Sequence, residues 1–224
     1  MIVMNQITTT PMKIDFVSDV SCPWCVIGLK ALQEALDRVG PQLDAQLHFQ
    51  PFELNPEMGE QGQDIAEYMT EKYGSTAEQQ QANREMIRAR GEELGFTFTL
   101  GARTRTYNTF DAHRLLHWAE EPGAGRQQAL KQALFKAYFT DGENPGSHAV
   151  LTRVAGEVGL DAARVAQILA SDEYAEEVRE RENFYRQQGI NSVPAIIIND
   201  KHLISGGQPV AVFEQALRQI AAAG

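Results

Sequence analysis

"SCPWCVIGLKALQEAL", Ser21 to Leu36, holds both cysteines of this 224-residue chain, Cys22 and Cys25, with Pro23 and Trp24 between them. Beyond Cys25 the apolar residues Val26, Leu29, Leu32, Leu36 and Val39 recur at spacings of three and four, the period of a helix. Gly40-Pro41 closes it. Upstream, "KIDFVSD" (Lys13 to Asp19) carries Ile14, Phe16 and Val17 and reads as a short buried strand. Downstream, "AQLHFQPFEL" (Ala45 to Leu54) reads as a second strand with a Pro-broken end at Pro51. Strand, CxxC, helix and strand within about 55 residues is the length of a βαβ unit.

Composition narrows the function classes. Hydrophobic residues make up 43% of the chain, enough for a sizeable core, and the formal net charge is −10. Such a chain repels phosphate backbones and anionic lipid, which argues against nucleic acid and membrane surfaces as partners. No apolar run approaches the ~18 residues of a membrane span. "MIVMNQITTTPMK" has neither a basic n-region nor a long apolar h-region, so the expected location is cytoplasmic. There a dithiol is more often catalytic or metal-binding than a permanent disulfide.

From Asp64 to Gln188 the periodicity is almost wholly helical. "DIAEYMTEKYG" stops at Gly74, and "STAE" from Ser75 has the spacing of a capping box for the next helix, which ends near Gly95. "FDAHRLLHWAEEPG" is closed by Pro122-Gly123, and further helices follow around Leu134 and Val154, with Asp161 and Asp172 as N-caps for two more. Strand character returns at "VPAIIIND" and "HLIS", and Val212, Phe213, Leu217 and Ile220 mark a closing helix led by Pro209. The expected plan is βαβ, a helical block, then ββα. Strands at both ends must share one sheet, so the helices are an insertion into it. The boundaries expected are 1–58 and 171–224 for the two parts of the sheet domain and 59–170 for the insertion.

Three readings compete for the cysteine pair. A staple between residues three apart closes almost no loop and restrains the unfolded chain very little. A zinc site would recruit His113 and His117, four apart on one helix face, but at a separation far longer than that of compact zinc modules. A redox pair accounts for more residues. Cys22 follows a strand and opens a helix, where orphan N–H groups and the helix dipole favour a thiolate. Pro23 has no N–H to lose there. Cys25, one turn further in, is placed as the sheltered resolving thiol behind an exposed nucleophile.

With these motifs in order, the chain resembles the DsbA family of thioredoxin-fold thiol oxidoreductases, most of all its FrnE-like cytoplasmic branch. The matching stretches are "IDFVSDVSCPWCVIG", "FELNPEM", "YNTFDAHRLLHWA" and "GINSVPAIIINDKHLISGGQP". The resemblance implies an α/β thioredoxin fold with a large all-helical insertion. It implies that Cys22 is the nucleophile and Cys25 the resolving thiol, and that Val193-Pro194 is a cis peptide facing them. Substrate would then contact Pro23, Trp24, Val193 and Pro194, with His113 on a helix lining the groove and Asp15 relaying the proton of Cys25. No cofactor beyond the dithiol is implied, no metal is expected, and glutathione is a candidate co-substrate. Partners would be proteins or small molecules bearing thiols or disulfides. Trp24 stands where periplasmic members often carry His, which implies a milder oxidant. The rival on the same fold is a glutathione-dependent transferase or isomerase, of the kappa-class or 2-hydroxychromene-2-carboxylate isomerase type, which has no need of Cys25. The sequence carries no signal for oligomeric state.

Overall fold

The computed structural model describes residues 9–121, 123 and 125–223. Most of the N-terminal stretch, and Pro122 of the Pro122-Gly123 stop, lie outside them. Strand β1 (Thr10–Ser18) leads through Asp19–Ser21 into helix α1 (Pro23–Val39), and β2 (Leu43–Pro51) returns alongside β1. The two pair in parallel, with Ile14 opposite Leu47 and Phe16 opposite Phe49. At the far end of the chain β5 (Ala195–Ile198) and β6 (His202–Ser205) form a hairpin. β5 pairs antiparallel with β1, and the sheet order is β2-β1-β5-β6. The two ends of the chain thus share one sheet, a thioredoxin fold. The closing helix α9 (Val210–Ala223) packs beside α1, burying Phe213 and Leu217 in the same core as Leu29 and Leu32.

The intervening helices are α2 (Ile65–Tyr73), α3 (Ala77–Glu93), α4 (Phe110–Trp118), α5 (Arg126–Phe135), α6 (His148–Glu157), α7 (Ala162–Leu169) and α8 (Ala175–Gln187). Of these, α4 to α7 form a cluster of their own around Leu115, Leu130, Leu151, Val165 and Ile168, into which Val20 of the β1–α1 turn inserts. Ile87 of α3 and Phe135 of α5, with Phe98, Tyr138 and Phe139 from the segments that follow these helices, join the core beneath the sheet. The core is therefore continuous across residues 58–59 and 170–171, because amphipathic helices laid on a sheet bury their apolar stripes against it.

Local differences from the sequence reading have local causes. The capping box is one residue later than expected: Thr76 Oγ1 accepts from Gln79 N while Gln79 Oε1 accepts from Thr76 N. Asp161 caps α7 through Ala163 N and Arg164 N, whereas Asp172 does not cap α8. It lies in the preceding turn, its carbonyl accepting from Ala175 N, and Tyr174 occupies the cap position at φ 63°. A two-stranded ribbon, β3 (Gln63–Asp64) with β4 (Arg105–Thr106), was not legible, since two-residue strands have no periodicity to read. After α5 the chain widens into a π-helical turn, Lys136–Thr140, of a kind frequent beside functional sites. In it the Tyr138 and Phe139 rings pack at a tilt of 55°, centroids 4.8 Å apart.

Candidate active site

Cys22 is the N-cap of α1, extended at φ −93° and ψ 113°, and Pro23 begins the helix. Its N–H donates to Asp19 O at 3.3 Å and its carbonyl accepts from Cys25 N at 3.1 Å. Both sulfurs are thiols. The Cys22 thiol donates to the carbonyl of Val193 at 3.5 Å, across 171 residues of sequence. Val193-Pro194 is cis, as the resemblance implied. Two glycines permit this approach. A Cβ at Gly28 would lie 3.0 Å from Pro194 Cγ, and one at Gly207 would lie 2.9 Å from the Trp24 carbonyl. A side chain at Gly28 would crowd the proline loop, and one at Gly207 the turn after β6, against α1.

The expected contrast between an exposed and a sheltered thiol takes a different form here. Cys22 is only 4% exposed and Cys25 is fully buried. What separates them is a cavity of about 590 Å³, on whose wall Cys22 lies while Cys25 stands behind it in the core. Burial, together with the neighbouring Cys22, pushes the Cys25 thiol well above its ordinary pKa. The cavity lies between the thioredoxin part, which supplies Ser21–Trp24, Phe52–Asn55 and Asn191–Val193, and the helical block, which supplies Tyr68, Ile87, Phe98 and Phe139. Of the contact residues expected from sequence, Pro23, Trp24 and Val193 line it, and Pro194 is buried just behind.

Two expectations are corrected. Asp15 is not placed to relay a proton from Cys25. It is buried, but strand alternation turns it to the sheet face opposite Ile14 and Phe16, the residues that pack with Cys25. There it accepts from Gln50 Nε2 at 2.7 Å and pairs with Lys13 Nζ at 2.9 Å. His113 does not reach the cavity, and among the described residues no part of α4 lines it. The imidazole is buried beneath the dithiol loop instead, its Nε2 3.5 Å from Asp19 Oδ1 and without a full hydrogen bond. His117 packs against the Tyr174 ring, and among the described residues no three His, Cys, Asp or Glu side chains gather as a metal site.

Asp19, which the sequence shows only as the last residue of the first strand stretch, organises the site. Oδ1 accepts from Ser21 N and Thr109 Oγ1, and Oδ2 accepts from Ser21 Oγ and Leu54 N. Burial alone would raise its pKa. The His113 imidazole, Leu54 N–H and Ser21 N–H outweigh that and hold it at about 2. One carboxylate thereby joins the dithiol loop, the end of β2 and the head of α4.

Lys131, on α5, was also missed: it is 1% exposed and forms no ion pair among the described residues. Burial lowers its pKa to about 8, against the partial support of charge at Cys25, Asp19 and Cys22. In the unfolded chain it stays protonated up to about 10.5. Below pH 8 the fold therefore bears the full cost of a dry ammonium, about 3 kcal/mol, which disappears as pH rises from 8 to 10.5. Lys131→Met is expected to raise the urea midpoint at pH 7 and to lose that advantage by pH 10.5. Identical midpoints at both pH values would mean that the ammonium is hydrated in the native state.

A CxxC at the head of the first helix of a mixed four-stranded sheet, with a cis-proline loop against it, defines the DsbA-like class of thioredoxin-fold proteins. The chain belongs to the DSBA-like thioredoxin domain family, whose profile matches residues 13–218. It is 29% identical over 201 residues to the uncharacterized protein YwbO of Bacillus subtilis (strain 168), spanning 89% of this chain and 92% of that protein. Among solved structures it is similar to the probable DsbA oxidoreductase SCO1869 of Streptomyces coelicolor, with 34% identity, a TM-score of 0.85, and coverage of 95% of this chain and 90% of that one. The cytosolic disulfide reductase DsbM of Pseudomonas aeruginosa, solved with GSH, shares the fold at 18% identity and a TM-score of 0.61, over 92% of this chain and 99% of that one.

Proposed function

We propose that the chain is a cytoplasmic dithiol–disulfide oxidoreductase that exchanges disulfides through Cys22 and Cys25. The observation that carries this reading is the division of the pair: one sulfur on a cavity wall, the other sealed one helical turn behind it. The Cys22 thiolate attacks one sulfur of a bound disulfide and expels the other as a thiolate. Cys25, after losing its proton, then attacks the Cys22 sulfur and releases the second half. Two electrons pass from the protein dithiol to the substrate, and the protein ends as the Cys22–Cys25 disulfide. The Val193 carbonyl lies where a bound substrate backbone would seek a partner.

The rival glutathione transferase or isomerase reading makes no use of the resolving thiol. Intact-mass analysis after mixing the reduced chain with oxidised glutathione separates the two. The expected product is a protein lighter by the two thiol hydrogens, formed through a transient glutathione adduct. A persistent adduct on the unmutated chain, or conjugation of glutathione to an electrophile such as 1-chloro-2,4-dinitrobenzene, would favour the transferase.

A further inference from the structure

The cavity has a charge that the rest of the molecule does not. The chain carries a net −10, yet four of the side chains around this cavity are cations: Lys72, Arg84, Arg103 and Arg186. Among the described residues none of the four is in an ion pair, while nine other Lys and Arg residues pair with carboxylates. Their hydrogen bonds go to neutral groups. Lys72 donates to Leu54 O and Asn55 Oδ1, Arg84 to Gln81 Oε1, and Arg186 to Glu53 O. Their remaining support is aromatic: Arg103 lies 5.4 Å from the centroids of both Tyr138 and Phe139, and Arg186 4.5 Å from that of Phe52. The one carboxylate on the wall, Glu53, is buried and already held by Arg179 and Asn108.

The wall between these cations is apolar. Tyr68, Ile87, Phe98 and Phe139 are buried there, and two large side chains that also line it, Tyr73 and Leu100, are 55% and 50% exposed. The volume of about 590 Å³ suits a small molecule, within the range of roughly 300–1,000 Å³ of such sites.

Resting on the exchange chemistry proposed above, we propose that this cavity selects low-molecular-weight disulfides that carry both negative charge and a flat apolar body. The unpaired cations would hold the carboxylates, the aromatic wall the body, and Cys22 would meet the sulfur. The bonds made and broken are those of exchange: the substrate S–S bond is reduced to two thiols while Cys22 and Cys25 are oxidised to a disulfide.

The test is a single turnover of the reduced chain with three disulfides. These are 5,5′-dithiobis(2-nitrobenzoate), anionic and aromatic; 4,4′-dithiodipyridine, aromatic and neutral; and oxidised glutathione, anionic without an apolar body. Each rate is divided by that of dithiothreitol with the same compound, which removes intrinsic reactivity. The anionic aromatic disulfide is expected to lead both others by about tenfold at low salt, and to lose most of that lead over the neutral one at about 0.5 M salt. Arg84→Gln with Arg103→Gln is expected to shrink the lead severalfold. An equal or faster normalised rate for the neutral compound, or a lead insensitive to both salt and the arginines, overturns the substrate class and leaves the exchange reading standing. Reduction of none of the three overturns both.

Discussion

Cys22→Ala abolishes disulfide reduction, whereas Cys25→Ala leaves a reactive thiol that stalls in mixed disulfides; this is the expected outcome of the paired experiment. Cys22 opens α1 and lies on the cavity wall, the side from which a disulfide can enter. Cys25 is fully buried and its burial disfavours the thiolate, so it meets only a sulfur already bonded to Cys22. Iodoacetamide is therefore expected to label the parent and Cys25→Ala quickly, and Cys22→Ala slowly. Incubated with oxidised glutathione, Cys25→Ala should accumulate an adduct that dithiothreitol releases. Equal labelling of the two variants, with no adduct on either, would mean that the two sulfurs are interchangeable and that the mechanism proposed here is wrong.

Asp19→Ala is expected to cost about 4 kcal/mol, beyond the ordinary range for one substitution. The change removes the acceptor of four donors, Ser21 N, Ser21 Oγ, Leu54 N and Thr109 Oγ1, in a site closed to water. Each orphaned buried donor costs roughly 1–3 kcal/mol, offset in part by relaxation of the loop. The pH dependence has a definite sign. Asp19 titrates near 2 when folded and near 3.8 when unfolded, so its charge contribution is complete above pH 3.8 and is lost as pH falls to 2. Urea midpoints for parent and variant should thus converge in acid and differ most at neutral pH. A variant as stable as the parent at pH 7 would show that the loop finds other acceptors. The faster-labelling sulfur provides an independent readout, because the loop that Asp19 ties down carries Cys22: its alkylation rate should change even where the variant is fully folded.

Much of the scaffold was legible because it is local. The βαβ start, the capping glycine at Gly74, the Asp161 cap and the returning hairpin each follow from residues within one turn or strand of one another. The placement of the cysteine pair at a helix head was legible for the same reason, since a strand end, a CxxC and Pro23 at a helix start are contiguous. What failed was the assignment of partners to single polar residues. Asp15 and His113 follow from the family resemblance, which names positions in the chain and not the contacts they make. Yet a one-residue step along a strand reverses the face a side chain takes, and His113 sits on the face of α4 that meets Asp19, away from the cavity.

The sequence by itself determined the order of the main strands and helices, the sharing of one sheet by the two ends of the chain, and the position of Cys22 and Cys25 at the head of the first helix. Only the tertiary structure decided that Asp19 orders the dithiol loop while Asp15 faces away from Cys25, that Lys131 is enclosed in the core, and that Lys72, Arg84, Arg103 and Arg186 converge on one cavity. The physical reason is the range of the forces involved. Helix period, capping and turn chemistry act over a few residues, whereas burial of a charge and its pairing depend on which distant segments the closed core brings together.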